Sequence, residues 1–285
     1  MKPPPFRYEC PESLEESLAL RAEHGDEARP LAGGQSLVPM LNMRLARPEV
    51  LLDLNRVAGL DTIATGDGHL AVGAMVRQRE LERSGATAPI GALHDALPLV
   101  GHVATRNRGT VGGSIAHADP AAELPLALLA LGGTVVVEST ARGRREIAAR
   151  DLFAGFLTTA LEPDELVVAV HFPGIRPDEG SALVELAPRH GDFALAIAAC
   201  WLRLVDGEVA DARVAVGAVA DRPLLVPDAG AALVSGGPDD AGAAAAAAVE
   251  PTGSLHAPPG YQRHLVSVLV TRAIDGARDR AAGAT

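Results

Sequence analysis

Two glycine doublets, Gly33-Gly34 and Gly112-Gly113, constrain this chain more than any other feature of its sequence. Each stands ahead of a helix-spaced run and has a hydroxyl residue beside it: Ala32-Gly33-Gly34-Gln35-Ser36 and Thr110-Val111-Gly112-Gly113-Ser114. Adjacent glycines let the backbone take positive φ and let amide N–H groups approach a ligand with no Cβ in the way. The helix behind adds unpaired N–H donors and the positive end of its dipole, which favour an anion. One doublet after a strand is more often a tight turn. Two such segments with the same chemistry in one chain exceed what turn-making requires, and together they describe a cradle of neutral donors suited to a diphosphate held from both sides. Ser36 can cap its helix or bond a phosphate oxygen.

The rest of the composition narrows the field. Lys+Arg 25 against Asp+Glu 36 gives a net charge of −11, and the basic residues are scattered, so the broad positive face of a nucleic-acid binder is lacking. The apolar run from Leu124 to Val137 is interrupted by Pro125, Gly132 and Gly133 and is shorter than the roughly 20 residues that span a bilayer. No apolar signal core follows Met1-Lys2-Pro3, and the expected location is cytoplasmic. Cys10 and Cys200, the only cysteines, supply neither a disulfide framework nor the spacing of a zinc or iron–sulfur site, so any such centre belongs to another chain. Lys2 is the only lysine, which removes P-loop and Schiff-base chemistry from the body of the protein.

The pattern along the chain predicts an α/β unit to about Asn55, with a helix over 13–24, strands over 28–31 and 50–54, and a helix over 37–45. Beyond it, Thr62–Ala64 and His69–Val72 flank a Gly66-Asp67-Gly68 turn as a hairpin, and strands are expected over 134–140 and 165–172. Pro120 to Leu131 reads as a helix with Asp119 as N-cap and Gly132 as terminator. The Pro- and Gly-rich stretch 173–180 is the expected linker. After it come three antiparallel strands, 182–186, 194–204 and 212–219, and helices over 241–249 and 261–274. Glu123 falls four residues after Asp119, so it forms no capping box and is free to face a ligand hydroxyl.

Several rival chemistries lack their context. Gly66-Asp-Gly-His-Leu-Ala71 matches a dinucleotide fingerprint in form, but alternating residues continue through it and no helix follows. Neither Ser36 nor Ser114 lies in the G-x-S-x-G turn of a serine hydrolase. His117-x-Asp119 and His190-x-Asp192 each supply two ligands, too few for a metal site. His117 instead supports the second glycine segment. Trp201 and Cys200 read as core.

The two segments in full, Ala32-Gly-Gly-Gln-Ser-Leu-Val-Pro-Met-Leu-Asn-Met-Arg-Leu45 and Arg106-Asn-Arg-Gly-Thr-Val-Gly-Gly-Ser-Ile-Ala-His-Ala-Asp-Pro120, resemble the flavin-binding segments of the FAD-binding medium subunits of molybdenum hydroxylases, the xanthine dehydrogenase and carbon monoxide dehydrogenase family. The likeness extends to Leu51–Asn55, Glu165–Val168, Gly191–Ala194 and Tyr261–Leu265. It implies an α+β fold: a two-subdomain FAD-binding domain of the vanillyl-alcohol-oxidase (PCMH-like) type, residues 1–55 and 56–175, then a C-terminal domain, 176–285, with a three-stranded antiparallel sheet and helices.

The same resemblance implies FAD held by Ala32, Gly33, Gly34, Gln35, Ser36 and Leu37 and by Thr110, Val111, Gly112, Gly113 and Ser114. His117, Asp119 and Glu123 would lie close by, Leu161 would line the flavin side, and Arg189 or Phe193 would approach the ring from the C-terminal domain. Pro188 departs from the family pattern just before Arg189. The implied partners are a large molybdenum-cofactor subunit and a small [2Fe-2S] subunit, with an external electron acceptor, and no side chain here is required as a catalytic acid or base. The competing expectation is a stand-alone FAD oxidoreductase with its own small-molecule substrate, for which His190, Asp192 and Glu185 are the candidate bases.

Overall fold

A computed structural model describes residues 2–283. In chain order the N-terminal part contains β1 (Arg7–Glu9), α1 (Leu14–His24), β2 (Ala28–Leu31), α2 (Leu37–Asn42) and β3 (Val50–Asp53). Next come β4 (Ile63–Gly66), β5 (His69–Gly73), α3 (Gln78–Arg83), α4 (Gly91–Leu99), α5 (Val103–Arg106), α6 (Val111–His117) and α7 (Glu123–Leu131). They are followed by β6 (Thr134–Ser139), β7 (Gly143–Ala148), α8 (Ala149–Leu152), β8 (Phe153–Gly155), β9 (Thr158–Thr159) and β10 (Leu166–Pro173). The C-terminal part holds β11 (Glu179–Leu186), β12 (Ala196–Val205), β13 (Glu208–Gly217), β14 (Leu224–Leu225), α9 (Pro227–Ser235), α10 (Pro238–Ala247) and α11 (Pro259–Ala281).

Three sheets carry the fold. β1, β3 and β2 form a parallel sheet with β3 in the middle, and β3 reads Val-Leu-Leu-Asp because a central parallel strand is buried on both faces. The second sheet, in order β4-β5-β10-β6-β7, is antiparallel. One face of it packs on α4, α6 and α7 through Val72, Val135, Val137, Val170 and Phe172. Its other face meets the first unit through Val136, Leu166 and Val168 against Leu18 and Leu52. The third sheet, β11-β12-β13-β14, is antiparallel and buries one side beneath α11 through Ala198, Cys200 and Leu202.

Helix α7 explains how the parts join. All nine of its residues are buried, as an apolar-all-round helix requires, because it is packed both within the core beneath the second sheet and against β12 and β13. Gly132 ends it in the left-handed conformation, φ +71°, as the sequence predicts. Arg213 on β13 donates to the last carbonyls, Ala130 and Leu131, at 2.9 Å each, and stacks over Trp201.

Two expectations need correction. The C-terminal sheet has a fourth strand, β14, paired with Ala215 and Val216; two residues between Pro223 and Pro227 are too short to show alternation. The helix expected from Pro120 begins at Glu123, with Ala122 and not Asp119 at the cap. Ala118 is left-handed there, φ 52°, and the Pro120 carbonyl is taken by the Ala218 amide at 2.8 Å, so that carbonyl is drawn to the C-terminal sheet. The Asp67-Gly68 turn is a hairpin as expected, with φ 50° and 76° at its two centre residues, the pattern a primed turn requires.

Candidate functional site

The two glycine segments meet. Ala32 to Ser36 connects β2 to α2, and the second segment is brought to it by α3 and α5. A Cβ placed on Gly33 would lie 2.3 Å from the Arg108 carbonyl oxygen and 2.7 Å from Gly109 Cα. One placed on Gly113 would lie 3.3 Å from the Ala32 side chain. The close approach explains the glycine at position 33; at Gly113 the nearest obstacle to a Cβ is the capping hydroxyl of Thr110, 2.7 Å away. Gly34, at φ +74°, supplies the left-handed turn that redirects the chain into α2.

Their hydrogen-bonding states differ, and this refines the sequence reading. Among the described residues, the amides of Gly33, Gly34, Gln35 and Ser36 donate to no protein acceptor. Ser36 makes no side-chain cap, so its hydroxyl is also uncommitted. Thr110, in contrast, caps α6 by accepting from the Gly113 amide at 3.1 Å. The Val111 and Gly112 amides bond the carbonyls of Val76 and Ala74, and the Ser114 amide bonds Thr110. Gly112 and Gly113 thus lie in the first turn of a helix and not in a loop ahead of it. The free donors are on the first segment; the second is its close, Cβ-free wall.

A polar network that the sequence reading did not assign holds the junction. Arg77 donates to the Arg108 carbonyl at 2.5 Å and to Asn55 Oδ1 at 2.6 Å. Asn55 Nδ2 donates to the Ala32 carbonyl at 2.9 Å, so one side chain and its partner bracket both segments. Asp53 accepts from the Asn55 amide and from Tyr8 Oη. Burial pushes the Asp53 carboxyl up, but the Tyr8 and Asn55 hydrogen bonds outweigh it and hold it below the usual range. The only sequence signal was the polar Asp53-Leu54-Asn55 ending of an apolar strand.

The remaining expected residues ring this junction at different distances. His117 closes α6, half-buried, with burial lowering its pKa. Asp119 Oδ1 accepts the Ala121 amide at 2.9 Å in the turn before α7. Glu123 is buried, and desolvation, aided by the charges of Glu185 and Asp119, pushes its carboxyl up to about 8. Glu185 on β11 is pushed up to about 7 by burial and has one carboxyl oxygen without a partner. Leu161 is half-buried against the main core. Arg189 and Phe193 are exposed on the loop between β11 and β12. That loop packs onto α5's approach, since a Cβ on Gly191 would fall 2.5 Å from the His102 ring. Among the described residues, no hydrogen bond or ion pair links Arg189 or Phe193 to the glycine segments.

Free consecutive amides on one loop, a glycine wall on the other and a separate antiparallel domain beside them define a dinucleotide-binding protein, and the residues fit a flavin dinucleotide. Residues 4–175 match the family described as the FAD binding domain in molybdopterin dehydrogenase, and residues 181–277 match the CO dehydrogenase flavoprotein C-terminal domain. The chain belongs to this family: it is an FAD-binding oxidoreductase subunit of the molybdenum hydroxylase type, as the resemblance of its two segments implies.

The chain is 38% identical over 288 residues to the 6-hydroxypseudooxynicotine dehydrogenase complex subunit alpha of Paenarthrobacter nicotinovorans, covering 99% of this chain and 97% of that one. It is 34% identical over 287 residues to the carbon monoxide dehydrogenase medium chain of Afipia carboxidovorans, with 99% of each covered. Among solved structures, reconstituted CO dehydrogenase from Oligotropha carboxidovorans superposes with a TM-score of 0.94 at 34% identity, over 98% of this chain and 100% of that one. No helix among the described residues is long and apolar enough to cross a membrane.

Proposed function

We propose that this chain is the electron-relay subunit of a cytoplasmic three-component hydroxylase. It would take electrons from a small [2Fe-2S] partner, fed in turn by a large molybdenum-cofactor subunit, and pass them to an external acceptor. The observation that carries this reading is the contact of the two glycine segments at Gly33 and Arg108, which makes one binding place of them. FAD supplies the needed chemistry, since a flavin accepts electrons singly and releases them in pairs.

The residues divide the work. The amides of Gly33 to Ser36 and the Ser36 hydroxyl bind the diphosphate, with Ala32 and Leu37 beside them, and Thr110 to Ser114 form the opposing wall. Arg77 and Asn55 hold the two segments in register. Glu123, neutral at pH 7 because of its burial, is able to donate a hydrogen bond to a cofactor hydroxyl or carbonyl. His117 and Asp119 order the turn between α6 and α7. Leu161 excludes water on one side, and Arg189 and Phe193 cover the ring from the C-terminal domain. In this reading the FAD-binding subdomains are residues 1–55 and 56–175 and the C-terminal domain is 176–285.

A second reading, an autonomous FAD oxidoreductase, has one observation in its favour: Glu185, with a carboxyl near neutrality and an unpartnered oxygen, has the properties of an acid–base group. Purification of the tagged chain from its own host decides between them. The relay reading expects bound flavin together with a long chain containing molybdenum and a short chain containing iron. A single yellow polypeptide that turns over a substrate unaided would establish the second reading and end the first.

A further inference from the structure

Two carboxyl groups act on each other across the junction of the domains. Glu123 opens α7, in the part of the chain matched to the FAD-binding family, and Glu185 lies on β11, in the part matched to the C-terminal domain. Glu123 retains 8% of its surface, and among the described residues its carboxyl finds no donor but its own amide. One Glu185 carboxyl oxygen is buried without a hydrogen-bond partner. Among the described residues, neither forms an ion pair. Unpaired polar atoms are rare inside native proteins, and each calls for an explanation.

The alternation of β11 brings Glu185 to this place. Successive side chains of a strand point to opposite faces. Ala182, Val184 and Leu186 turn to the C-terminal core beneath α11, so Leu183 and Glu185 turn the other way. Leu183 joins the core that contains α7, as does Ile197, the residue opposite Glu185 on β12. A carboxyl thus stands on an apolar face that packs against the FAD-binding domain, and its charge helps to push the Glu123 carboxyl up.

The other charged groups nearby leave the pair without a counter-ion. Asp119, in the turn before α7, adds to the repulsion on Glu123. His117, at the end of α6, is drawn toward its charged form by Asp119, but burial prevails and lowers its pKa. Arg106 on α5 is the weakest of the influences on Glu123. Its guanidinium is committed to Glu82 at 2.8 Å and to the Val100 and Gly101 carbonyls at 3.0 Å each. On α4, Asp95 is taken by Arg280 and His94 meets the Thr87 hydroxyl. Arg213 on β13 is bonded at the far end of α7.

Neighbouring buried carboxyls with no cation of their own resist ionising together. Glu185 is pushed up to about 7 and Glu123 up to about 8, and groups that interact in this way titrate as a unit. We infer that Glu123 and Glu185 form one acid, with a carboxyl from each domain, whose protonation is coupled to the redox state of the cofactor. The inference rests on the reading above that puts Glu123 at the flavin, and it adds Glu185 as a positioning residue that acts through Glu123. Between the two values the pair holds one proton while the cofactor is oxidised. Two electrons from the iron–sulfur partner bring negative charge beside it, and a second proton, drawn from water, joins the pair. Proton and electrons leave together when the external acceptor is reduced. The low dielectric of a buried site strengthens this coupling, and linkage makes it reciprocal, so the potential rises as pH falls.

The test is a spectroelectrochemical titration of the purified flavin-loaded protein from about pH 6 to about pH 9, as wild type, as Glu185→Gln and as the control Asp228→Asn, whose carboxylate is exposed on α9. The electrode supplies the electrons, so the outcome does not depend on the relay partner. The flavin midpoint potential of wild type and of the control is expected to fall more steeply with pH than that of Glu185→Gln. The difference reaches one proton per two electrons, a tenfold change in the equilibrium or about 30 mV per pH unit. Parallel lines for wild type and Glu185→Gln, displaced or superposed, overturn the inference, because a role confined to packing or fixed charge shifts the potential equally at every pH. Should the variant shed its flavin, the reduced-minus-oxidised infrared spectrum of wild type decides. A protonated-carboxyl band that appears on reduction and shifts in heavy water is expected, and its absence overturns the inference. Full retention of flavin by Gly33→Ala would instead sink the reading of the site on which the pair depends.

Discussion

Gly33 and Arg108 meet backbone to backbone: a Cβ on the glycine would stand 2.3 Å from the arginine's carbonyl oxygen. No rotamer change relieves that clash, because both partners are main chain. Gly33→Ala should therefore separate the two segments, weaken FAD binding at least tenfold, or about 1.4 kcal/mol, and lower the melting temperature. Flavin retained per chain after desalting checks it. Retention equal to wild type would show that the segments do not share a ligand.

Arg77 is the side-chain counterpart of that contact. Removing it in Arg77→Ala leaves Asn55 Oδ1 and the Arg108 carbonyl without their donor, a loss of about 1–3 kcal/mol. Arg77→Lys should not rescue, since an ammonium on a flexible stem cannot reproduce a planar fork that serves two acceptors. Flavin release followed by its fluorescence should be faster in both variants.

Glu123 gives a pH signature. Its carboxyl lies near 8 in the folded protein and near 4.5 when exposed, so between those values the folded state keeps a proton that the unfolded chain releases. The sign follows: the contribution is complete below about 4.5 and is lost as pH rises through about 8. Glu185, pushed up to about 7, acts in the same direction. Asp53, Glu82 and Glu165 are held below their usual range and lose their contribution only on acidification. Melting temperatures of the flavin-free protein should fall from pH 5 to pH 8, and the fall should be shallower in Glu123→Gln. Parallel curves for the two proteins would contradict the buried-acid assignment.

The two domains are fastened by Arg280 on α11, which bonds both Asp95 carboxylate oxygens at 2.7 and 2.8 Å and the Ser181 carbonyl at 2.7 Å. Both ion-pair partners are partly exposed, so screening reduces the pair's value. The Ser181 carbonyl and the Asp95 oxygen that also accepts the Leu183 amide make the loss larger than for a surface pair. Arg280→Ala should destabilise the protein by about 1–3 kcal/mol, read by denaturant titration, while leaving flavin content unchanged.

Much of the site was legible because its demands are on backbone. A Cβ at Gly33 would run into main chain, and the pairs Gly33-Gly34 and Gly112-Gly113 with their flanking hydroxyls were visible without coordinates. What the sequence could not show was which amides remain free. The carbonyls that take up the Val111 and Gly112 amides are those of Val76 and Ala74, far away in the chain, so local pattern credited both segments with donors that only the first retains. The start of α7 was misread for the same reason: Pro120 is a good first helical residue locally, but a carbonyl captured by Ala218 across the domain junction decides otherwise. Arg77 was illegible because nothing about one arginine ahead of a short helix foretells the two acceptors it reaches.

The junction made by Arg280 with Asp95, Arg213 with the end of α7, and Ala218 with Pro120 draws on α11, β13 and α4 at once. Bolted at three places, the C-terminal sheet has no free hinge on which to swing over the neighbouring fold. Those three fastenings give the polypeptide the build of a mounting and not of a gate.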